Sequence, residues 1–408
     1  MKRVVVTGMA GYSPIGNDWE TIKRNMLAGT TGIRYMEEWD KYQELNTRLG
    51  APVADFKRPD HFSRKQVRSM GRVALMSTAA TERALEDAGL LGSECISDGR
   101  MGVSYGSSTG SPDAVADFGQ MLLNNVSGGI NANSYLKMMS HTAAVNIGVF
   151  FQLKGRIIPT SSACTSGSQG IGYAYEAIKY GHQSLMVAGG AEELCATEAA
   201  VFDTLYATST KNDSPALTPR PYDVDRDGLV IGEGACTLIL EEYEHAVARG
   251  ARIYAEIIGF GTNSDGSHVT QPKEDTMHQS MKLALEQSGL NADQIGYVSG
   301  HGTATDRGDV AETRATERLL GKVPISAFKS FTGHTLGACG SLEAMVVINM
   351  LQEGWYHGTA NLRNIDPECG QLDYLTGQGR EIKTSVVMNN NFAFGGINTS
   401  LIFRKIDS

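Results

Sequence analysis

The chain has 408 residues, 41% of them hydrophobic and 20% charged. That is enough apolar material for a large core and too little charge for a disordered chain. Its 36 basic and 45 acidic residues leave a formal net charge of −9, which argues against nucleic-acid binding and sends any acidic partner to a local basic patch.

No apolar run reaches the ~18–20 residues of a membrane helix. The opening run around Val4–Val6 meets Gly8 too soon for a signal peptide and reads as a first strand, Lys2–Thr7. The six cysteines are scattered, with no C-x-x-C pair, so neither a zinc ribbon nor a compact disulfide framework is expected. A reduced, cytoplasmic protein fits this usage.

Strands and helices then alternate. Arg72–Ala88 has helical periodicity and stops at Gly89, and Met101–Tyr105 is a short strand. Ala143–Phe151 reads as a helix, Arg156–Ser161 as a strand, and Gln169–Tyr180 as an amphipathic helix. Leu185–Ala188 is a strand expected to stop at Gly189-Gly190. Ala235–Leu240 and Glu242–Ala248 form a further strand and helix. Arg252–Gly259 with the following residues 260–265 then parallels the opening Arg3–Gly8 with residues 9–13. Helices are expected at Thr276–Ser288, Val310–Leu320 and Leu342–Leu351. Strands are expected at Ile295–Ser299, Pro324–Phe328, Thr384–Met388 and Thr399–Phe403, the last two flanking a polar loop over Asn389–Gly396. The alternation implies an α/β fold with parallel sheets covered by helices. The weak internal similarity suggests a duplication, with halves 1–250 and 251–408 packed as one body.

Four segments carry chemistry. Cys164 lies among small residues between a strand and a helix, the setting of a nucleophile elbow in which a helix N-terminus favours the thiolate. A buried structural cysteine is the competing reading. His301, between Gly300 and Gly302, ends a strand, where sites in α/β sheets gather. It is otherwise an ordinary loop histidine. His334 follows Lys329 in a Gly/Ser-rich loop, and Glu343 is available to pair with Lys329. That lysine is either a placed cation or a surface side chain. The segment Asn389–Gly396 could offer backbone amides to an oxyanion, with Phe392 and Phe394 as a gate, or be a polar hairpin with two core aromatics.

Other motifs fail. The acidic run Asp223–Gly228 begins like an EF-hand loop, but its twelfth position is Gly234. No P-loop and no H-E-x-x-H is present. Neither a metal nor another cofactor is expected.

Taken together, the Cys164 loop, His301-Gly-Thr, Lys329-x-x-x-Gly-His334 and Phe392-x-Phe-Gly-Gly396 resemble the β-ketoacyl-acyl-carrier-protein synthases, the condensing enzymes of fatty-acid and polyketide synthesis. The similarity runs from the first strand to Asn398 and includes Arg220–Ala235. It implies a thiolase-like duplicated fold of α-β-α-β-α layers and a homodimer. Cys164 then matches the acylated nucleophile, and His301 and His334 the two catalytic histidines. Lys329 matches the neighbouring lysine, with Asp309 and Glu343 as its acidic supporters. The amides of Cys164 and Phe394 match the oxyanion hole, and Phe392 and Phe394 the gate.

The implied reaction is decarboxylative condensation of an acyl thioester with malonyl-acyl carrier protein. Thiolases carry a second cysteine in a C-terminal Cys-Gly loop, absent here; initiating ketosynthases resemble Cys-His-Asn, whereas the third residue here is His334. The pattern therefore resembles the elongating class. A thiolase-like acyl-CoA enzyme and a non-catalytic partner subunit remain the alternatives. Two departures stand out: Ala393 replaces a common glycine, and Asp306-Arg307 replaces a common Pro and apolar residue. Arg64, Lys65 and Arg68, with Arg72 nearby, form the basic cluster expected to dock the acidic carrier.

Overall fold

The valine- and isoleucine-rich runs form strands, and in the computed structural model, which describes residues 1–406, they join one 11-stranded sheet. Its first half contains β1 (Val4–Tyr12), β2 (Met101–Gly106), β3 (Ile157–Thr160), β4 (Leu185–Glu192) and β5 (Gly234–Glu242). The second contains β6 (Ala255–Ser264), β7 (Tyr297–Ser299), β8 (Pro324–Ser326), β9 (Val386–Ala393) and β10 (Ile397–Arg404). From the outside inward the first half runs β3-β2-β4-β5-β1 and the second β8-β7-β9-β10-β6. The two orders are the same when each half is counted from its own first strand. The halves meet where β1 pairs with β6, Val4 opposite Ile257. A two-residue strand, Asp373–Tyr374, extends the β8 edge.

The sheets are mixed rather than parallel. β2 pairs in parallel with β3 and β4, and β7 with β8 and β9. β5 and β10 pair antiparallel with both neighbours. The β9–β10 connection is a short hairpin, and a connection that short joins only antiparallel strands.

Helices α1 (Arg72–Asp87) and α2 (Thr142–Phe150) cover the first half, and α5 (Glu274–Ser288) with α6 (Asp306–Leu320) covers the second. Between the halves lie α3 (Ser166–Lys179) and α7 (Cys339–Glu353), which touch strands of both. α7 is apolar and buried on nearly every face, as a helix between two sheets must be. The result is the expected layering of helix, sheet, helix, sheet, helix. A further helix, α4 (Ala196–Asp203), follows β4.

Several expected strand ends fall elsewhere, and β1 itself runs past Thr7, through Gly8 and Gly11, to Tyr12. β4 continues through Gly189 and Gly190 to Glu192, and β6 continues through Gly259 and Gly261 to Ser264. These glycines are close-contact positions inside strands, not breaks. A Cβ on Gly190 would lie 2.1 Å from Gly337 O, and one on Gly261 would lie 2.0 Å from Ser280 O of α5. Asn389, Asn390 and Asn391 are likewise buried inside β9, not in a loop. The Asn389 and Asn391 amides are paid in hydrogen bonds to Gly340 O and the Glu343 carboxylate.

The acidic run that resembled a cation loop serves the chain itself. Asp223 accepts from the backbone N–H groups of Arg363, Asn364 and Asp225. Among the described residues no helix is long and apolar enough to cross a membrane.

The glycine contacts are testable. Gly261→Val should destabilise the fold by about 1–3 kcal/mol in urea titration, because a helix backbone faces the new carbon. Gly119→Ala, at an open helical position, should leave the midpoint unchanged or slightly raised.

Candidate active site

The chain leaves β3, turns sharply at 161–165, and enters α3. Ala163 takes φ +49°, a strained value for a residue with a Cβ. Ser166 holds the turn: its Oγ accepts from Ser162 N–H at 3.0 Å and donates to Ala163 O at 2.8 Å. Cys164 is thereby held just before the helix, 3% exposed.

His301 follows β7, and its loop is held by Glu312 of α6, which accepts from His301 N–H at 2.5 Å and Gly302 N–H at 2.8 Å. His334 precedes α7, and its backbone N–H donates to Val230 O. Three separate loops thus bring Cys164 Sγ and a ring nitrogen of each histidine within 4.8 Å of one another. His334 Nε2 is 2.9 Å from Cys164 Sγ.

Both histidines are neutral. Burial first, and then the Lys329 charge, hold their pKa values well below the ordinary imidazole value. Their tautomers follow from their partners. Lys329 Nζ donates to His301 Nδ1 at 3.0 Å, and Leu336 N–H donates to His334 Nδ1 at 3.3 Å. Each Nδ1 is therefore an acceptor, and each proton sits on Nε2. The site presents N–H donors, and metal ligation through Nε2 would move a proton to Nδ1, against the Lys329 ammonium or the Leu336 N–H. The donor set does not fit a metal.

Lys329, 1% exposed, lies in a one-turn helix, Lys329–Thr332. It donates to Glu343 Oε1 of α7 at 2.5 Å. Burial opposes its charge, but Cys339, Glu343 and Glu312 outweigh it and raise its pKa. Asn391 Nδ2 donates to the other Glu343 oxygen at 2.6 Å.

Asp309 does not join this group. It lies at the start of α6 and accepts from the N–H groups of Tyr222, Thr303 and Ala304, with Arg226 3.8 Å away. The acid that supports the His301 loop is Glu312, one helical turn later. Sequence reasoning passed over Glu312, although its spacing from Asp309 puts both on one helix face.

The backbone N–H groups of Phe394 and Cys164 both face the Cys164 sulfur. The sulfur nevertheless is not held as a thiolate. Burial raises the thiol to about 11, and the two amides and Lys329 recover only part of that cost. Burial therefore works against the thiolate that a helix N-terminus would favour, and desolvation sets the direction for the resting thiol.

A cavity of about 460 Å³ opens onto Cys164, His301 and His334. Phe392 and Phe394 line it; Phe392 packs edge-on to His301, and Phe394 edge-on to Phe202 of α4. Ala393 ends β9 opposite Ile397 and has no left-handed φ, so its Cβ is accommodated. The positive φ values fall instead at Gly395 and Gly396. Asp306 and Arg307 begin α6 and line the cavity.

Arg64, Lys65 and Arg68 are exposed on and beside a one-turn helix, Arg64–Val67, capped by Ser63 and Gln66. Arg72 is not part of that free cluster. It is committed to Glu233 and Val53 O.

Residues 1–246 match the N-terminal domain of the β-ketoacyl synthases, and residues 254–363 match their C-terminal domain. The chain is 39% identical to 3-oxoacyl-acyl-carrier-protein synthase 2 of Vibrio cholerae, across 99% of both chains. A β-ketoacyl synthase from Burkholderia phymatum is 58% identical and superimposes with a TM-score of 0.99 over 100% of both chains. A type II polyketide ketosynthase, solved with its acyl-carrier protein and bound to a hexaketide, is 28% identical, with a TM-score of 0.87 over 100% of both chains. The duplicated strand order, the three converging loops and these full-length similarities lead to one assignment: the chain belongs to the β-ketoacyl synthase family.

Proposed function

We propose that the chain catalyses decarboxylative condensation of an acyl thioester, held on Cys164, with malonyl-acyl carrier protein. The observation that carries this reading is the pair of neutral histidines gathered at the Cys164 sulfur, His334 through Nε2 and His301 with a ring nitrogen in the same 4.8 Å cluster, each with its Nδ1 taken by a donor. The full-length relatives named as 3-oxoacyl-acyl-carrier-protein synthases support the same chemistry.

In the first half-reaction Cys164 sulfur attacks the acyl thioester carbonyl. The Phe394 and Cys164 amides receive the tetrahedral oxyanion. The carbon–sulfur bond to the carrier breaks, and the carrier thiol leaves with the proton that Cys164 gives up. In the second, malonyl thioester loses carbon dioxide and its electron pair remains as an enolate. The two Nε2–H donors face the enolate oxygen, so its charge forms against fixed dipoles. The carbanion then attacks the acyl carbonyl, and the thiolate of Cys164 is expelled. Lys329 positions His301 and fixes its tautomer. Phe392 and Phe394 gate the cavity, and Glu343 holds Lys329.

The carrier docks on Arg64, Lys65 and Arg68, an interaction supported by the exposed basic cluster beside an otherwise acidic chain. A second copy of the chain covers the β3 edge. That reading rests on the open edge strand and the exposed Val149 and Ile157 beside it. Residues 1–250 and 251–408 act as the two halves of one site, and the protein works in the cytoplasm.

Four outcomes test the reading. Cys164→Ala should lose the one-acyl mass gain on incubation with acyl carriers while still folding, as read by intact-protein mass spectrometry. Alkylation of wild-type Cys164 by iodoacetamide should keep rising with pH through the ordinary thiol range, toward a midpoint near 11. A plateau below pH 8 would contradict the neutral resting thiol. His334→Asn should slow malonyl decarboxylation by roughly 100-fold or more and acyl transfer far less; equal losses in single-turnover assays would remove that role. Reversing Arg64, Lys65 and Arg68 to Glu should raise KM for the carrier about tenfold or more at low salt, with kcat little changed.

A further inference from the structure

One buried carboxyl near Cys164 is left over by the mechanism. Glu198 of α4 is 5% exposed. Its Oε1 accepts from Thr109 Oγ1 at 3.1 Å. Its Oε2 has no partner, the one buried carboxylate oxygen among the described residues in that condition. The neighbouring Glu192 is different: it accepts from Ser107 Oγ, Ser108 N–H and Gly337 N–H, at 2.8 to 3.0 Å. Thr109 Oγ1 lies between the two acids, 3.4 Å from Glu192. A second orphan, Ser162 Oγ, lies two residues before Cys164.

The surroundings of Glu198 connect it to the reacting sulfur. Ala196 and Ala199 of α4 share a buried cluster with Cys164, and Ala163, Ala200 and Phe202 pack against it. Phe202, one turn after Glu198 on the same helix, also lines the cavity that opens on Cys164. The helix wall beside the nucleophile is thus made of alanines, with Phe202 on the cavity and the unpartnered Glu198 carboxyl one turn deeper on the same helix face. A purely aliphatic chain would suit the alanines but would leave the buried Glu198 oxygen at their end without a partner. Burial first, and then the facing Glu192, push Glu198 well above the usual carboxyl range. A neutral carboxyl matches a neutral hydrogen-bonding group rather than a cation.

We propose that Glu198 terminates the acyl subsite and selects acyl groups that carry a hydroxyl remote from the thioester. The inference rests on the ketosynthase reading and names the substrate class of that same site. The hydroxyl donates to the free Glu198 oxygen. An acyl group without it leaves a buried acceptor unpaired, and sites built to bond a substrate hydroxyl reject the analogue that lacks it.

The test uses matched pairs of acyl-carrier proteins, each pair equal in chain length and differing only in a terminal hydroxyl, with aliphatic and aryl members. The readout is the rate of Cys164 acylation by intact-protein mass spectrometry. The wild-type protein should load the hydroxylated member of at least one pair about tenfold or more faster. Glu198→Gln, which keeps both hydrogen-bonding functions, should retain that ratio, and Glu198→Leu should bring it to one or invert it. Each ratio is taken within one variant, so a reduced folded fraction does not imitate the effect. A wild-type ratio near one for every pair overturns the proposal. So does an unchanged ratio in Glu198→Leu. If no carrier of either kind acylates Cys164, the ketosynthase reading fails with it, and the absent mass gain distinguishes that result from loading without discrimination.

Discussion

The Lys329–Glu343 pair is the interaction on which the candidate site depends. An ammonium and a carboxylate, each 1% exposed, face each other between a one-turn helix and α7. Neither charge is tolerable there alone, since breaking a buried pair typically costs ~3–5 kcal/mol. The pair is completed by hydrogen bonds on both sides, with His301 Nδ1 on the lysine and Asn391 on the glutamate. That arrangement ties strand β9, helix α7 and the His301 loop together. It also sets the chemistry, because a donor at Nδ1 leaves His301 with its proton on Nε2. A single ion pair therefore fixes both the position of the imidazole and what it can do.

The same economy of space governs the nucleophile. α3 and α7 cross the middle of the molecule, and their approach to the sheets needs positions without a Cβ. Gly190 passes against the backbone of Gly337, whose N–H in turn binds Glu192. Cys164 sits where α3 enters this packed layer. Its burial has a definite electrostatic result. A sulfur that excludes water is easily kept as a thiol, and its anion is stabilised only when a reacting carbonyl brings it toward the two backbone amides and the histidine donors.

Buried carboxyls are divided by what they are given. Glu312 receives two backbone N–H groups and anchors the His301 loop, while Glu192 receives several donors and joins the Ser107–Ser108 turn to Gly337. Asp309 receives three backbone N–H groups and an arginine, and so belongs to the joint between the Tyr222 segment and α6. Among the buried carboxyls of the described residues, Glu198 alone keeps an oxygen without a donor. Residue type does not separate these roles; the count of donors around each oxygen does.

The sequence by itself determined the alternation of elements, the repeat of the opening strand near residue 255, and the candidates Cys164, His301, His334 and Lys329. Each of these is a local signal: apolar periodicity, a glycine beside a histidine, small residues around a cysteine. What the tertiary structure decided depends on groups distant in the chain. Gly189 and Gly261 lie inside strands because a helix or a neighbouring carbonyl approaches them, which no local pattern records. Asn389 to Asn391 form a core strand because Gly340 and Glu343, some fifty residues away, receive Asn389 and Asn391. Glu312, one turn beyond Asp309 on α6, reaches the N–H groups of His301 and Gly302, while Asp309 meets Thr303 and Ala304 further along the same loop, an ordering only the folded loop shows. Even the protonation of the site was decided in three dimensions, since burial and the partner at each Nδ1 exist only once the loops have met.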